Sequence, residues 1–358
     1  MTSNRIKQRI LSAINEKVFP GCVVGIVGPD GNRSVMPFGR HTYDPGSPAM
    51  GEETIFDVAS ITKAIPTSSL ALTLLDAGKL KLDDTLITYV PEFRNSCRQS
   101  VRIRHLLTQT LDFGFRLSVY KDKKPDELLD AIFTAEFRAK PGTTFYYANA
   151  TSILLGLVVE RICGKDLPTL GQEIFFGPLN MLHTTFFPEK FDLEKIAPTE
   201  IDPWRGRMVQ GEVHDESAFT LRSEMTAGSA GLFSTVPDIL NFIDMLLHDG
   251  TCGNRRFFSP EVIEMMQTNQ VDIPGVKTGL GWELCQPRYM GKHSSPHSIG
   301  KTGFTGCVCV CDRTKGRGVV LLSNYTFPTR KKDMSMINSV RSDIADIVFS
   351  DDWPGFPG

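Results

Sequence analysis

The sequence predicts an α+β fold in which strands from both ends of the chain form one sheet flanked by helices, with a mainly helical region inserted between them. Three observations lead there. Helical stretches stand at both termini, strand-and-turn patterns lie just inside each of them, and the long middle of the chain shows little strand alternation. The corresponding division is a sheet domain from residues 1–82 plus 226–358 and a mainly helical domain from 83–225.

Taken in order, Ile6, Ile10, Ile14 and Val18 recur at four-residue spacing and predict an amphipathic first helix. Phe19-Pro20-Gly21 ends that pattern. Cys22 to Val27 then reads as a strand, and Gly28-Pro29-Asp30-Gly31-Asn32 turns it into a second. From Ile61 to Leu80 the chain is apolar and helix-like, so a helix is expected to start near Ser60, with its axis bent where Pro66 frees the carbonyl of Thr62. The middle contributes helical stretches such as Ala150 to Ile162 among Pro- and Gly-rich loops. Ser234-Thr235-Val236-Pro237-Asp238 carries the capping residue and early proline of a helix that Ile239 to Leu247 continues. Strands follow around Trp282, over Gly306 to Asp312 and over Gly318 to Asn324. The last two are joined as an antiparallel hairpin by Arg313-Thr314-Lys315-Gly316-Arg317, and a final helix lies near Met334 to Phe349.

Composition narrows the function. The 358 residues suffice for a sizeable core, and 39 Lys plus Arg nearly balance 41 Asp plus Glu without a long basic run, which disfavours nucleic-acid binding and points to small-molecule chemistry. The charged first twenty residues do not form a signal-peptide core, and no stretch is long and apolar enough to span a bilayer. A cytoplasmic location is therefore expected, although a removed leader would leave the same sequence. Of the eight cysteines, Cys307, Cys309 and Cys311 alternate along one strand face, where buried thiols are expected rather than a metal site. No structural zinc, disulfide or cofactor is expected.

Three short motifs carry chemistry. In Ser60-Ile61-Thr62-Lys63 a helical turn sets the lysine over the serine, whose hydroxyl needs a base, and burial or a second cation lowers a lysine pKa far enough to supply one. A helix N-terminus behind Ser60 would favour developing negative charge. Ser118-Val119-Tyr120-Lys121 repeats the spacing but precedes a polar stretch. Tyr147-Ala148-Asn149 offers a phenol for proton relay and a carboxamide that can bond a lysine and a substrate carbonyl; the alternative is a packed tyrosine beside a helix-capping asparagine. Lys301-Thr302-Gly303 is expected at the start of the strand Gly306 to Asp312, with a glycine that admits a substrate backbone and a lysine that holds a substrate carboxylate or depresses Lys63. Lys277-Thr278-Gly279 duplicates it, and Lys301 is preferred because the alternating strand follows it directly.

In this order the three motifs resemble the signatures of the serine β-lactamase and penicillin-binding family. Phe56-Asp57-Val58-Ala59, Pro141-Gly142-Thr143-Thr144-Phe145, Ala230-Gly231-Leu232-Phe233-Ser234-Thr235 and Leu321-Leu322-Ser323-Asn324 look like its class C and esterase branch. The resemblance implies an antiparallel sheet flanked by helices plus a helical domain, acylation of Ser60, and proton transfer shared by Lys63 and Tyr147. It also implies substrate contacts from Asn149, Lys301, Thr302, Gly303 and Phe304, with an oxyanion hole from the backbone N–H groups of Ser60 and Phe304. Three features depart from the pattern or stand apart: Thr108-Gln109-Thr110-Leu111-Asp112 replaces a His-Thr-Ser-Gly loop, Pro66 interrupts the nucleophile helix, and Gly211 to Glu216, similar to a stretch in one peptidase and esterase subgroup, reads as a polar loop and not a metal site.

Rival readings remain. Ala227-Gly228-Ser229-Ala230-Gly231 is one residue away from a nucleophile elbow, but no apolar strand precedes Ser229. Ser295 to Thr302 mimics a phosphate-binding loop yet leads into a strand. A non-catalytic binding module of the same fold is the non-enzyme alternative. The expected partner is a small-molecule ester, amide or β-lactam, with esters preferred, and with β-lactamase or D-Ala-D-Ala-type carboxypeptidase as the alternative. Oligomeric state is not legible.

Overall fold

The computed structural model describes residues 2–353, 355 and 356. Its centre is a six-stranded antiparallel sheet. The early strands β1 (Gly21–Val27) and β2 (Arg33–Gly39) join, from the second half of the chain, β7 (Glu283–Leu284), β8 (Ile299–Thr302), β9 (Val308–Asp312) and β10 (Arg317–Ser323) in the order β2-β1-β10-β9-β8-β7. The first strand pairs with the last, Val23 opposite Leu322 and Val27 opposite Gly318. The two chain ends thus meet in the middle of the sheet.

Side chains alternate between two covered faces, which is why every residue of β1 is buried. Cys22, Val24, Ile26, Val308, Val310, Val319 and Leu321 pack with Ile6 and Ile10 of α1 (Thr2–Asn15) and Ile337, Val340 and Ile344 of α5 (Ser335–Phe349). On the opposite face Val23, Val27, Cys309 and Val320 pack with Ile239 and Ile243 of α4 (Val236–Leu247), whose cap is Thr235 accepting from the Asp238 N–H. Glycine lets α4 approach: a Cβ on Gly25 would lie 2.3 Å from Val236, and one on Gly318 would lie 2.2 Å from Ile243. Cys307, Cys309 and Cys311 share that face and are free thiols. Burial pushes Cys307 up to about 11 and Cys309 up to about 12, so both stay protonated and unreactive.

Two expectations are corrected. The helix does not start near Ser60: Ala59–Lys63 is a tight 3-10 turn, Ala64–Ser68 a wider turn, and α2 begins only at Ser69 and runs to Asp76. The cause is Pro66, which lacks an N–H and forces Ile65 out of helical conformation to φ −118°, ψ 108°. No α-helix dipole therefore starts behind Ser60. Lys301, in turn, does not open the strand after it but lies within β8, paired with Cys309, because Gly303 to Gly306 forms the turn of a hairpin.

The middle of the chain is mainly helical, with Pro125–Thr134 and α3 (Asn149–Cys163) the longest pieces. It also holds a two-stranded ribbon, β4 (Glu200–Asp202) with β5 (Arg207–Val209), that short polar sequences did not reveal. A further pair, β3 (Phe56–Asp57) with β6 (Phe233–Ser234), places the Ser60 turn beside the chain that leads into α4. Among the described residues no helix is long and apolar enough to cross a membrane.

Candidate active site

Ser60 follows β3 on a backbone held by Asp57. One carboxylate oxygen accepts from the Ala59 N–H (2.8 Å) and the other from the His214 N–H (2.7 Å), while the Asp57 carbonyl accepts from the Thr305 hydroxyl (2.7 Å). Ala59 sits at φ 47°, a left-handed conformation costly for a residue with a Cβ and sustained only by such bracing. Asp57 therefore ties the Ser60 turn to two neighbouring loops.

Lys63 is 3% exposed, and its Nζ lies 3.0 Å from Ser60 Oγ, 2.8 Å from Asn149 Oδ1 and 2.8 Å from the Ser229 carbonyl. The two carbonyls can take two amine hydrogens, which leaves the lone pair of a neutral lysine facing the Ser60 hydroxyl. Burial pushes the Lys63 pKa down, the nearby Tyr147 opposes this, and Lys301 adds to the lowering. Asn149 is the first residue of α3 with Ala148 at the cap position, so it is not the capping asparagine of the alternative reading. Its amide nitrogen donates to Asp215 (2.9 Å) and Ser217 (3.3 Å), which turns its oxygen towards Lys63.

Tyr147 lies between the two lysines, with Nζ of Lys301 4.3 Å and Nζ of Lys63 5.1 Å from its ring centre. The residue is 42% exposed overall, and its hydroxyl faces Ser60, Lys63 and Lys301. Burial alone would raise its pKa; the two cations outweigh burial and lower it. Lys301 in turn forms a buried ion pair with Glu283. Burial works against the charge on both partners, yet their mutual attraction prevails, raising Lys301 and lowering Glu283.

Thr302 ends β8 half-buried, opposite Val308. Gly303 has a packing role: a Cβ there would stand 2.4 Å from the Val58 carbonyl oxygen, so the glycine lets the hairpin turn pack against the Ser60 segment. Buried Arg341 donates to the carbonyls of Gly303 and Cys307 and fixes that turn. Phe304 is 40% exposed and stacks on His214 at 5.9 Å between ring centres. The Ser60 and Phe304 N–H groups donate to no protein acceptor among the described residues. Ser60, Tyr147, Asn149, Phe304, His214 and Arg330 line one cleft of about 450 Å³.

The duplicates fall elsewhere. Lys277 is exposed, Lys121 lies over the Trp204 ring at 5.2 Å, and Ser229 is buried, its hydroxyl without a partner among the described residues and its carbonyl instead holding Lys63. In the Thr108 to Asp112 segment, Gln109 accepts from the Ala148 N–H (3.1 Å) and so braces the Tyr147 segment. The Gly211 to Glu216 segment supplies His214, bonded to Glu200 (2.7 Å), and Asp215. Asp57, Asp215, Glu283 and Arg330 were not foreseen as site residues; the polar Asp57 between Phe56 and Val58 was the most visible signal.

This fold and this cleft define a class, the serine hydrolases, and the comparisons agree. The model of the Beta-lactamase family matches residues 8–337, and the chain belongs to that family. A relative in Escherichia coli (strain K12), provisionally named D-alanyl-D-alanine carboxypeptidase, is 30% identical over 303 residues, covering 76% of this chain and 69% of that protein. The N-acetylmuramyl-L-alanine amidase of Bacillus subtilis (strain 168) is 26% identical over 86% of this chain and 77% of its own. Among solved structures, EstCE1, titled a hydrolase with promiscuous acyltransferase activity, superposes with a TM-score of 0.78 at 22% identity over 98% of both chains, a likeness of fold.

Proposed function

We propose that this serine hydrolase cleaves carboxylic esters through an acyl-enzyme on Ser60. The carrying observation is the 3.0 Å approach of Lys63 Nζ to Ser60 Oγ, with the amine held from behind by two carbonyls. Lys63, coupled to Tyr147, takes the hydroxyl proton as Oγ attacks the ester carbonyl. The oxyanion that forms is received by the N–H groups of Ser60 and Phe304. Collapse of the tetrahedral intermediate breaks the bond to the alkoxide, which leaves with the proton returned from the Lys63–Tyr147 pair. Water then attacks the acyl carbonyl as the same pair takes its proton; collapse breaks the bond to Ser60 Oγ, which receives that proton from the pair, and the acid is released with the enzyme restored.

Esters are favoured over β-lactams and D-Ala-D-Ala peptides because those substrates bring a carboxylate, and the lysine suited to receive it is already paired with Glu283. The carboxypeptidase and β-lactamase reading draws on the 30% identical relative. A fluorophosphonate probe with peptide mapping tests the nucleophile: labelling at Ser60 supports the proposal, whereas labelling at Ser229 or nowhere sinks it. On one preparation, with Ser60→Ala as control, kcat/KM for p-nitrophenyl butyrate should exceed that for nitrocefin; nitrocefin turnover near the diffusional range with poor ester hydrolysis makes the protein a β-lactamase.

A further inference from the structure

We infer that Glu283 determines the specificity of this site: by occupying the Lys301 ammonium, in a small recess that meets the Ser60 cleft at Tyr147, it selects acyl donors that carry no carboxylate, a reading that rests on the ester hydrolysis proposed above. The two side chains are 5% and 14% exposed, and their carriers are neighbouring strands, β8 and β7, whose register sets Glu283 opposite Gly300, one residue before the lysine. A carboxylate tethered in this way stands at high effective concentration, so a substrate carboxylate must displace it to reach Lys301. The other oxygen of Glu283 meets Arg288 at 3.1 Å, a side chain that is 60% exposed.

Two arginines line the Ser60 cleft among the described residues, and exposed Arg116, which has no carboxylate partner, is the same in every variant compared below, so it does not alter the ratios between them. Arg330 donates to Glu200 (2.7 Å) and Glu216 (2.6 Å), and Lys63 is committed to Ser60, Asn149 and Ser229. Asp215 and Glu216 line the same wall, so an anionic substrate meets like charge there. Glu283 also offsets the effect of Lys301 on Tyr147: the carboxylate raises the phenol pKa while the lysine lowers it. Glu283 touches no reacting atom and is a positioning and selecting residue.

The test compares wild type with Glu283→Gln on p-nitrophenyl butyrate, on 3-carboxy-4-nitrophenyl butyrate, which carries a carboxylate on the leaving group, and on mono-p-nitrophenyl succinate, which carries it on the acyl group. In Glu283→Gln the ratio of kcat/KM for a carboxylated ester to that for the neutral one should rise at least about tenfold. The rising limb of the pH profile should move to lower pH, a readout that mere loosening of the fold would not produce. Because the single change leaves a buried lysine without its counter-ion, a second variant, Lys301→Gln/Glu283→Gln, replaces the pair by neutral side chains of similar shape. Its ratio should stay within about threefold of wild type, since in wild type the pair presents no free charge. An unmoved ratio in Glu283→Gln, or a fall of tenfold or more in the double variant, overturns the proposal. Wild type that prefers a carboxylated ester sinks the ester reading itself; wild type that prefers the neutral ester while Glu283→Gln leaves the ratio unmoved sinks only the role of Glu283.

Discussion

Replacing Lys63 by alanine tests whether Ser60 and Lys63 act as one unit. The change removes the only amine within hydrogen-bond distance of Ser60 Oγ among the described residues, at 3.0 Å. A positioned general base contributes on the order of 10²–10⁴ in rate, and the fixed orientation of this amine argues for the middle of that range, about a thousandfold or about 4 kcal/mol. Tyr147 cannot make up the loss, because without the Lys63 cation one of the two charges that lower its pKa disappears. Stability should change less than activity. Asn149 Oδ1 and the Ser229 carbonyl each lose a donor, at about 1–3 kcal/mol apiece, while the cost of burying an ammonium is relieved. The assay is kcat/KM on p-nitrophenyl butyrate for Ser60→Ala, Lys63→Ala and the double variant, with Tm measured alongside. If the two residues form one unit, the double variant is no slower than the slower single one. A double-variant loss equal to the product of the single losses, or Lys63→Ala within about tenfold of wild type, refutes the reasoning.

Three further outcomes are expected. The rate should rise with pH as the Lys63–Tyr147 pair loses a proton, because the free base is the active form; Lys301→Gln removes a cation that lowers both pKa values, so the rising limb should move to higher pH, and a limb that stays or falls refutes the electrostatic role of Lys301. Ser229→Ala deletes a buried hydroxyl with no partner and should leave Tm equal or higher and kcat/KM within about twofold, and exposed Lys277→Ala should be equally silent; loss of turnover in either displaces the assigned residue. Gly303→Ala drives a Cβ to 2.4 Å from the Val58 carbonyl and should cost about 1–3 kcal/mol in unfolding experiments while slowing turnover, since the Ser60 segment must shift; an unchanged Tm contradicts the packing.

Several elements were legible because their signals are local. The Thr235 cap with Pro237 marked α4, the glycine-bearing turn at Arg313 to Arg317 marked the β9–β10 hairpin, and the alternation of Cys307, Cys309 and Cys311 marked one buried face. The ribbon of β4 and β5 was missed because strands of three residues are too short to show a period. The break at Ile65 was read as a bend, although the residue before a proline is the one pushed out of helix.

For the site, sequence by itself determined which side chains are available and in what local spacing: Ser60 one turn before Lys63, Tyr147 two residues before Asn149, and Lys301 beside a glycine that allows a tight turn. Their meeting around Tyr147 depends on pairings between residues more than eighty positions apart, such as Lys63 with Asn149, and no local pattern encodes these. Charge was decided the same way. A lysine in a sequence is a cation open to any anion, and only the neighbouring strand put Glu283 against Lys301 and made Ser229 contribute a carbonyl and not a hydroxyl. The reason is physical: the pKa and availability of a buried group are set by desolvation and by the nearest charges in space, and those are fixed by packing and strand register, whose contacts join distant parts of the chain.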